Sequence, residues 1–116
     1  MDKPPAAPVS VEDFLRVERC TGTTRAARLT PNARQPAYIL DIDFGARGTK
    51  TSSAQLTANC QPAALVGKQI VAVMNVPTKR MAGVKSEVLV LGVVSPEHGV
   101  VLLEPAFAVE GGIRIA

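Results

Sequence analysis

Three short runs of consecutive apolar residues constrain the fold of this chain more than any other feature. They span residues 70–74, 88–94 and 100–103. Each run has the length of a strand and is far shorter than the roughly 20 residues that a membrane-spanning helix needs. Strands that are apolar on both faces are normally covered by helices, yet this sequence has little helical pattern. A closed β-barrel is therefore predicted, whose outer apolar face is covered by terminal segments or a second subunit.

The rest of the pattern indicates an all-β domain with two short helices. Ser10, followed three residues later by Asp13, is typical of a helix start, so a short helix is predicted over residues 11–15. Pro62 begins a second short helix that ends at Gly67. We predict strands, in order, at residues 17–28, 37–44, 49–55, 70–74, 88–94 and 100–103. A helix between the third and fourth strands is the order of a five-stranded OB-fold barrel, with another small β-barrel as the alternative.

The two ends of the chain are expected to differ in order. Residues 1–9 are rich in proline and alanine and are predicted to form a flexible tail. Residues 10–116 are predicted to form a single domain, extended at both ends beyond the barrel strands. Because Asp2 and two prolines stand where a secretion signal needs a basic start and an apolar stretch, a cytoplasmic protein without membrane insertion is expected.

Charge is unevenly distributed along the chain. Residues 44–86 contain six basic side chains and no acidic one, whereas residues 87–116 contain four acidic side chains and Arg114. A segment of one sign in a small domain favours a basic surface and an anionic partner. The alternative is a solvated face without a partner.

Catalysis, metals and cofactors are not expected. Cys20 and Cys60 are far apart and form no metal-ligand spacing, so they are predicted to be free thiols. His98, the single histidine, stands in a predicted turn and cannot build a triad or a His-rich metal site. The chain is therefore predicted not to be an enzyme.

The stretch of residues 75–91 is the most informative for function. Pro77 cannot continue a central strand, so the chain is expected to leave the sheet there and to form a loop. Lys79, Arg80 and Lys85 follow, and Gly83 permits a tight bend. Three cations beside small hydrogen-bonding residues suit the capture of phosphate or carboxylate.

The same stretch resembles a known family. The hallmark of transfer-RNA-binding domains, which are OB-fold modules, is a stretch with an asparagine and a proline, a basic pair, a glycine and then Lys-Ser before an apolar strand. This chain has that stretch, with Lys85-Ser86 before the strand. Together with Asp41-Ile42-Asp43-Phe44-Gly45 and residues 50–55, the pattern is most similar to the CsaA type, a small homodimeric export chaperone. The resemblance covers residues 11–115. It implies a binding surface for peptide or RNA at Ser52, Ser53, Gln55, Asn75, Pro77, Lys79, Arg80, Lys85 and Ser86.

Two positions depart from the family pattern. The first strand usually reads Asp-Ile-Arg, but here it reads Glu18-Arg19-Cys20. Either Arg19 points partly inward or the strand begins elsewhere, because a one-residue shift reverses the faces of a strand. The usual Pro-Pro-Arg-Arg becomes Pro77-Thr78-Lys79-Arg80. Both changes weaken an expectation of tight tRNA binding, since arginine holds phosphate better than lysine or cysteine.

Three functions follow from the pattern and the resemblance. The favoured prediction is a molecular chaperone that acts as a homodimer on unfolded or presecretory polypeptides. The alternative is a tRNA-binding protein that recognises shape and phosphates through the basic loop. The chain has only four aromatic residues. Proteins that bind single-stranded nucleic acid stack the bases on aromatic side chains, so this small number is mild evidence against such binding. A third reading is a scaffold dimer without a client of its own.

Overall fold

The computed structural model of the protein describes residues 4–29, 37–55, 61–81 and 83–116. It contains two helices, a single 3-10 turn over Gly45–Arg47, and nine strands in these residues. The helices are α1 (Val11–Leu15) and α2 (Pro62–Leu65); the strands are β1 (Arg19–Leu29), β2 (Tyr38–Asp43), β3 (Thr49–Ala54), β4 (Gln69–Val73), β5 (Lys79–Met81), β6 (Val84–Ser86), β7 (Leu89–Val90), β8 (Gly92–Ser95) and β9 (Gly99–Leu102). The predicted loop over residues 30–36 and Cys60 lie outside the described residues.

Five strands form the main sheet, in the order β3-β2-β1-β4-β7, and every neighbouring pair is antiparallel. The sheet curls until β3 meets the residues that precede β7. The amide of Glu87 donates to the carbonyl of Thr51 (2.8 Å), and the amide of Thr51 donates to the Glu87 carboxylate (3.0 Å). The result is a nearly closed five-stranded barrel with α2 between its third and fourth strands. This confirms the predicted OB-fold.

The barrel core is built largely from one face of β2 and its continuation. Tyr38, Leu40, Ile42 and Phe44 are at most 4% exposed, as the alternation of the sequence predicted. They pack with Cys20 of β1 and with apolar residues of α2, β4 and the segment before β7, namely Leu65, Ile70, Ala72 and Val88. Gly22 of β1 lies so close to Phe44 and Ile42 that a Cβ there would be 2.6 Å from both side chains. The core therefore requires glycine at that position.

Both terminal segments lie near the start of β1, where Arg19 contacts Phe14 and Ile115. The side chain of Ser10 caps α1 by accepting a hydrogen bond from the amide of Asp13 (3.0 Å). The C-terminal segment, residues 110–115, runs along the part of β1 that β2 does not reach. Its hydrogen bonds include one from the amide of Gly112 to the carbonyl of Thr21 (2.7 Å) and one from the amide of Ile115 to the carbonyl of Arg19 (2.9 Å). It thus extends the sheet by one irregular strand.

Two predicted elements differ from the observed ones. The apolar run over residues 88–94 is not one strand: it divides at Leu91 into β7, which belongs to the barrel, and β8, which pairs with β9 in a separate hairpin. The residues after Pro77 are not a plain loop, because β5 and β6 pair there as a small hairpin. Gly83, with φ of +82°, makes the turn between them. No helix in the described ranges is both long and apolar enough to cross a bilayer.

Candidate binding site

The predicted basic loop is a two-stranded hairpin, residues 79–86, which we call the basic hairpin. Its register places Lys79 opposite Ser86 and Arg80 opposite Lys85. Lys79, Arg80 and Lys85 are all exposed. In an OB-fold the connection between the fourth and fifth barrel strands is one of the loops that contact oligonucleotides. The basic hairpin occupies this connection.

The cations of the basic hairpin have no acidic partner among the described residues. The ion pairs there use other basic side chains, such as Arg25 with Asp43 and Arg28 with Asp41, both at 3.1 Å. Like charges directly opposite each other on an antiparallel pair destabilise it, and Arg80 faces Lys85 in this way. A bound anion would relieve that repulsion.

The outer face of β1 and β2 is balanced in charge, in contrast to the basic hairpin. Arg25 and Arg28 neutralise the two aspartates of β2. A hydrogen bond from the amide of Gly45 and a second from Arg25 lower the pKa of the Asp43 carboxyl below its ordinary value. Attraction for an anion is therefore concentrated on the hairpin rather than on this face.

Two serines connect the basic hairpin to the barrel. The hydroxyl of Ser86 accepts a hydrogen bond from the amide of Ser53 (3.1 Å), which joins β6 to β3. Ser52, the neighbour of Ser53, points into the barrel: it is 0% exposed, and its hydroxyl donates to the carbonyl of Val88 (3.1 Å). Ser53 and Ser86 thus reach the surface near the cations, whereas Ser52 supports them from beneath.

Two adjoining pockets lie beside the basic hairpin, and we call them together the two-pocket groove. Each has a volume of about 340 Å³ and a mainly apolar lining. Ser53 and Leu89 line both pockets, so the two adjoin at these side chains. The first pocket is also lined by Val76, Pro77, Lys79, Ser86 and Val88, and the second by residues that include Gln55, Val94 and Val100.

Asn75 has a different position from the other predicted site residues. Its side-chain oxygen accepts a hydrogen bond from the amide of Glu18 (2.8 Å), and its side-chain nitrogen donates to the carbonyl of Arg16 (2.7 Å). Both halves of the amide are thereby used to hold the chain before β1 against the end of β4. Asn75 fixes the start of the connection that carries the basic hairpin.

The apolar lining of the groove was not among the predicted site residues. Leu89 is 53% exposed and Val94 is 83% exposed, although both belong to an apolar run. The sequence did contain a signal for this lining, because residues 88–94 are apolar on both faces of the predicted strand. Only one face can point into the barrel, so the apolar side chains of the other face must lie outside it. No group of three or more histidine, cysteine or acidic side chains that could hold a metal occurs in the described part of the chain.

Comparisons with known proteins agree with this architecture. Residues 20–114 match the model of the family described as "Putative tRNA binding domain". The chain is also similar to methionine–tRNA ligase of Porphyromonas gingivalis, with 28% identity over 97% of this chain. It spans only 16% of the length of that ligase. The chain belongs to the tRNA-binding-domain family.

Solved structures refine this assignment. The crystal structure of the chaperone CsaA from Bacillus anthracis has 49% identity and a TM-score of 0.90, and the match covers 95% of this chain and 100% of that one. The CsaA chaperone protein from Picrophilus torridus has 40% identity and a TM-score of 0.88, over 94% of this chain and 100% of that one. Within its family the protein is of the CsaA type.

Proposed function

We propose that the protein is a non-catalytic molecular chaperone that binds unfolded or presecretory polypeptides in the two-pocket groove. The observation that carries this proposal is the pair of adjoining apolar pockets beside the basic hairpin, whose cations have no ion-pair partner in the part of the chain that the structure describes. In an extended polypeptide every second side chain points to the same face. Two apolar side chains that are two residues apart would therefore each fill one pocket. The basic hairpin would favour segments with acidic flanks. The similarity to the two CsaA chaperones supports the same assignment.

The test is the substitution Leu89→Gln, because Leu89 lines both pockets. We expect the affinity for a fluorescent apolar peptide, measured by anisotropy, to fall about four- to twelvefold. Leu89 is 53% exposed, so peptide binding would bury about half of a leucine side chain, which is worth about half of 1.5–3 kcal/mol. Val66→Gln is the matched control: Val66 is 52% exposed, against 53% for Leu89, and lines none of these pockets. Equal losses in both variants would refute the groove as the peptide site.

The second candidate function is tRNA binding, which the unpaired cations of the basic hairpin favour. Binding driven by phosphate contacts weakens steeply with salt, whereas apolar peptide capture does not. If tRNA is the ligand, Lys79→Ala should lower the slope of log affinity against log salt by about one. Lys68→Ala removes the same charge from a lysine paired with Glu104 at 3.3 Å and serves as the control. An unchanged slope in Lys79→Ala would exclude a phosphate contact there.

We also propose that the protein acts as a cytoplasmic homodimer. Apolar side chains remain exposed on the β8–β9 hairpin and on both terminal segments, including Val93 (50%), Phe14 (48%) and Phe107 (78%). Soluble monomers rarely expose large contiguous apolar patches. A two-fold partner covers such a patch with the same patch of its own.

A further inference from the structure

A third pocket, of about 230 Å³, lies on another part of the barrel, where the start of β1 meets the C-terminal segment. Three arginines line it: Arg19 from β1, Arg47 from the turn before β3, and Arg114 from the C-terminal segment. Among the described residues of the lining, Glu18 is the one acidic side chain. Neither the peptide groove nor the basic hairpin includes any of these side chains.

The charges of this arginine pocket do not balance. Arg47 donates a hydrogen bond to the carboxylate of Glu18 at 3.0 Å, and this bond raises the pKa of the Arg47 guanidinium. Arg19 and Arg114 have no ion-pair partner among the described residues. Three guanidinium groups against one carboxylate leave an excess of two positive charges around one small cavity.

Arg19 is the member whose charge is hardest to accommodate. It is only 8% exposed and lies over the ring of Phe14, with 3.9 Å between the guanidinium carbon and the ring centroid. Its terminal nitrogens donate to the carbonyls of Phe14 (3.1 Å) and Ile115 (3.4 Å), which are neutral, and its Nε has no hydrogen-bond partner in the described structure. A buried charge without a counter-charge is costly. The site therefore favours a negatively charged ligand.

We propose that the arginine pocket binds a phosphate group. A phosphate monoester or inorganic phosphate carries about 1.5 to 2 negative charges at neutral pH, which matches the excess of two, whereas a carboxylate carries one. Arginine forks hold phosphate through paired hydrogen bonds.

The test is a titration of the full-length protein with inorganic phosphate at constant ionic strength, followed through the NMR signals of the arginine Nε–H groups. We expect a saturable shift of the Arg19 signal. Arg114→Gln and Arg47→Gln should each weaken binding at least about tenfold, because each removes a charge-assisted contact. Arg16→Gln, an exposed arginine outside the pocket, should leave binding unchanged. Circular dichroism verifies that the variants fold.

Two further arms identify the source of the phosphate and separate this proposal from the proposed function. In the first, adenosine monophosphate is added to the phosphate-bound protein. If it displaces inorganic phosphate, a nucleotide can carry the bound group; if it does not, the pocket is assigned to the free anion. Adenosine must fail to compete in either case. Lys68→Ala removes a lysine that pairs with Glu104 and lies outside the pocket, and it should leave the phosphate-dependent shift of the Arg19 signal unchanged. The proposal is overturned if no saturable shift occurs, if Arg114→Gln binds normally, or if adenosine competes.

Discussion

At the scale of single residues, Arg19 and Cys20, which together form the first departure from the family pattern, have different environments. Cys20 is 1% exposed and joins the apolar core, where a small apolar side chain fits. Arg19 lies on the opposite face of β1, because neighbouring residues of a strand point to opposite sides. There the terminal segments cover it, and carbonyl groups and the Phe14 ring surround it. Arg19 is therefore buried beneath the terminal segments and not in the barrel interior, and β1 begins at Arg19 instead of at Val17.

Gly22 provides a prediction at the same scale. In Gly22→Ala the new Cβ would lie 2.6 Å from the Phe44 ring and 2.6 Å from Ile42. Because overpacking forces side chains from their preferred conformations, we expect the free energy of unfolding to fall by about 1–3 kcal/mol. Urea denaturation measures this loss. Adding Phe44→Leu should make the effect of Gly22→Ala smaller, and purely additive effects would contradict the steric explanation.

At the scale of elements, the barrel closes between β3 and residues 86–87 through side-chain hydrogen bonds as well as backbone ones, and no regular backbone ladder forms there. The Glu87 carboxylate and the Ser86 hydroxyl accept hydrogen bonds from the amides of Thr51 and Ser53. In a paired strand, backbone carbonyls would accept these bonds. The basic hairpin ends at this junction, since Ser86 is its last residue, so its position depends on the same contacts.

Glu87→Ala tests the role of this junction. The substitution leaves the partly buried amide of Thr51 without its acceptor, so we expect a loss of about 1–3 kcal/mol in the free energy of unfolding. Amide exchange of Thr51 should accelerate, which heteronuclear NMR can follow residue by residue. Glu87→Gln keeps an oxygen acceptor and should retain most of the protection. Unchanged exchange in Glu87→Ala would show that the carboxylate does not secure the closure.

The elements also show how far the sequence determines the fold and the site. Capping by Ser10 and the alternation of β2 are local signals, and both predicted elements are confirmed. The division at Leu91 was not predictable from the sequence. Side chains alternate between the two faces in the same way in a barrel strand and in a hairpin strand, so the apolar pattern does not show where one ends and the other begins. For the same reason Ser52 and Ser53 could not be separated into an inward and an outward side chain before the register was known.

At the scale of the whole molecule, the exposed apolar side chains lead to a prediction about assembly. Sedimentation at micromolar concentration should give about twice the mass of the 12.2 kDa chain, with an interface that buries roughly 2,000 Å² or more. The double substitution Val93→Asp and Phe107→Asp should shift the protein toward the monomer, since both side chains are half exposed or more. A wild-type monomer at this concentration would contradict the proposal.

The pairing of the C-terminal segment with β1 has a consequence for how the chain folds during synthesis. The hydrogen bond between Ile113 and Thr21 joins residues that are 92 positions apart. Until the later residues emerge from the ribosome, the start of β1 can pair with β4 on one side, while its other edge stays unpaired and open to other chains. Long-range pairing of this kind slows folding. The final strand contact should therefore form only after most of the barrel has been made, which leaves an interval in which the nascent chain is itself exposed to aggregation.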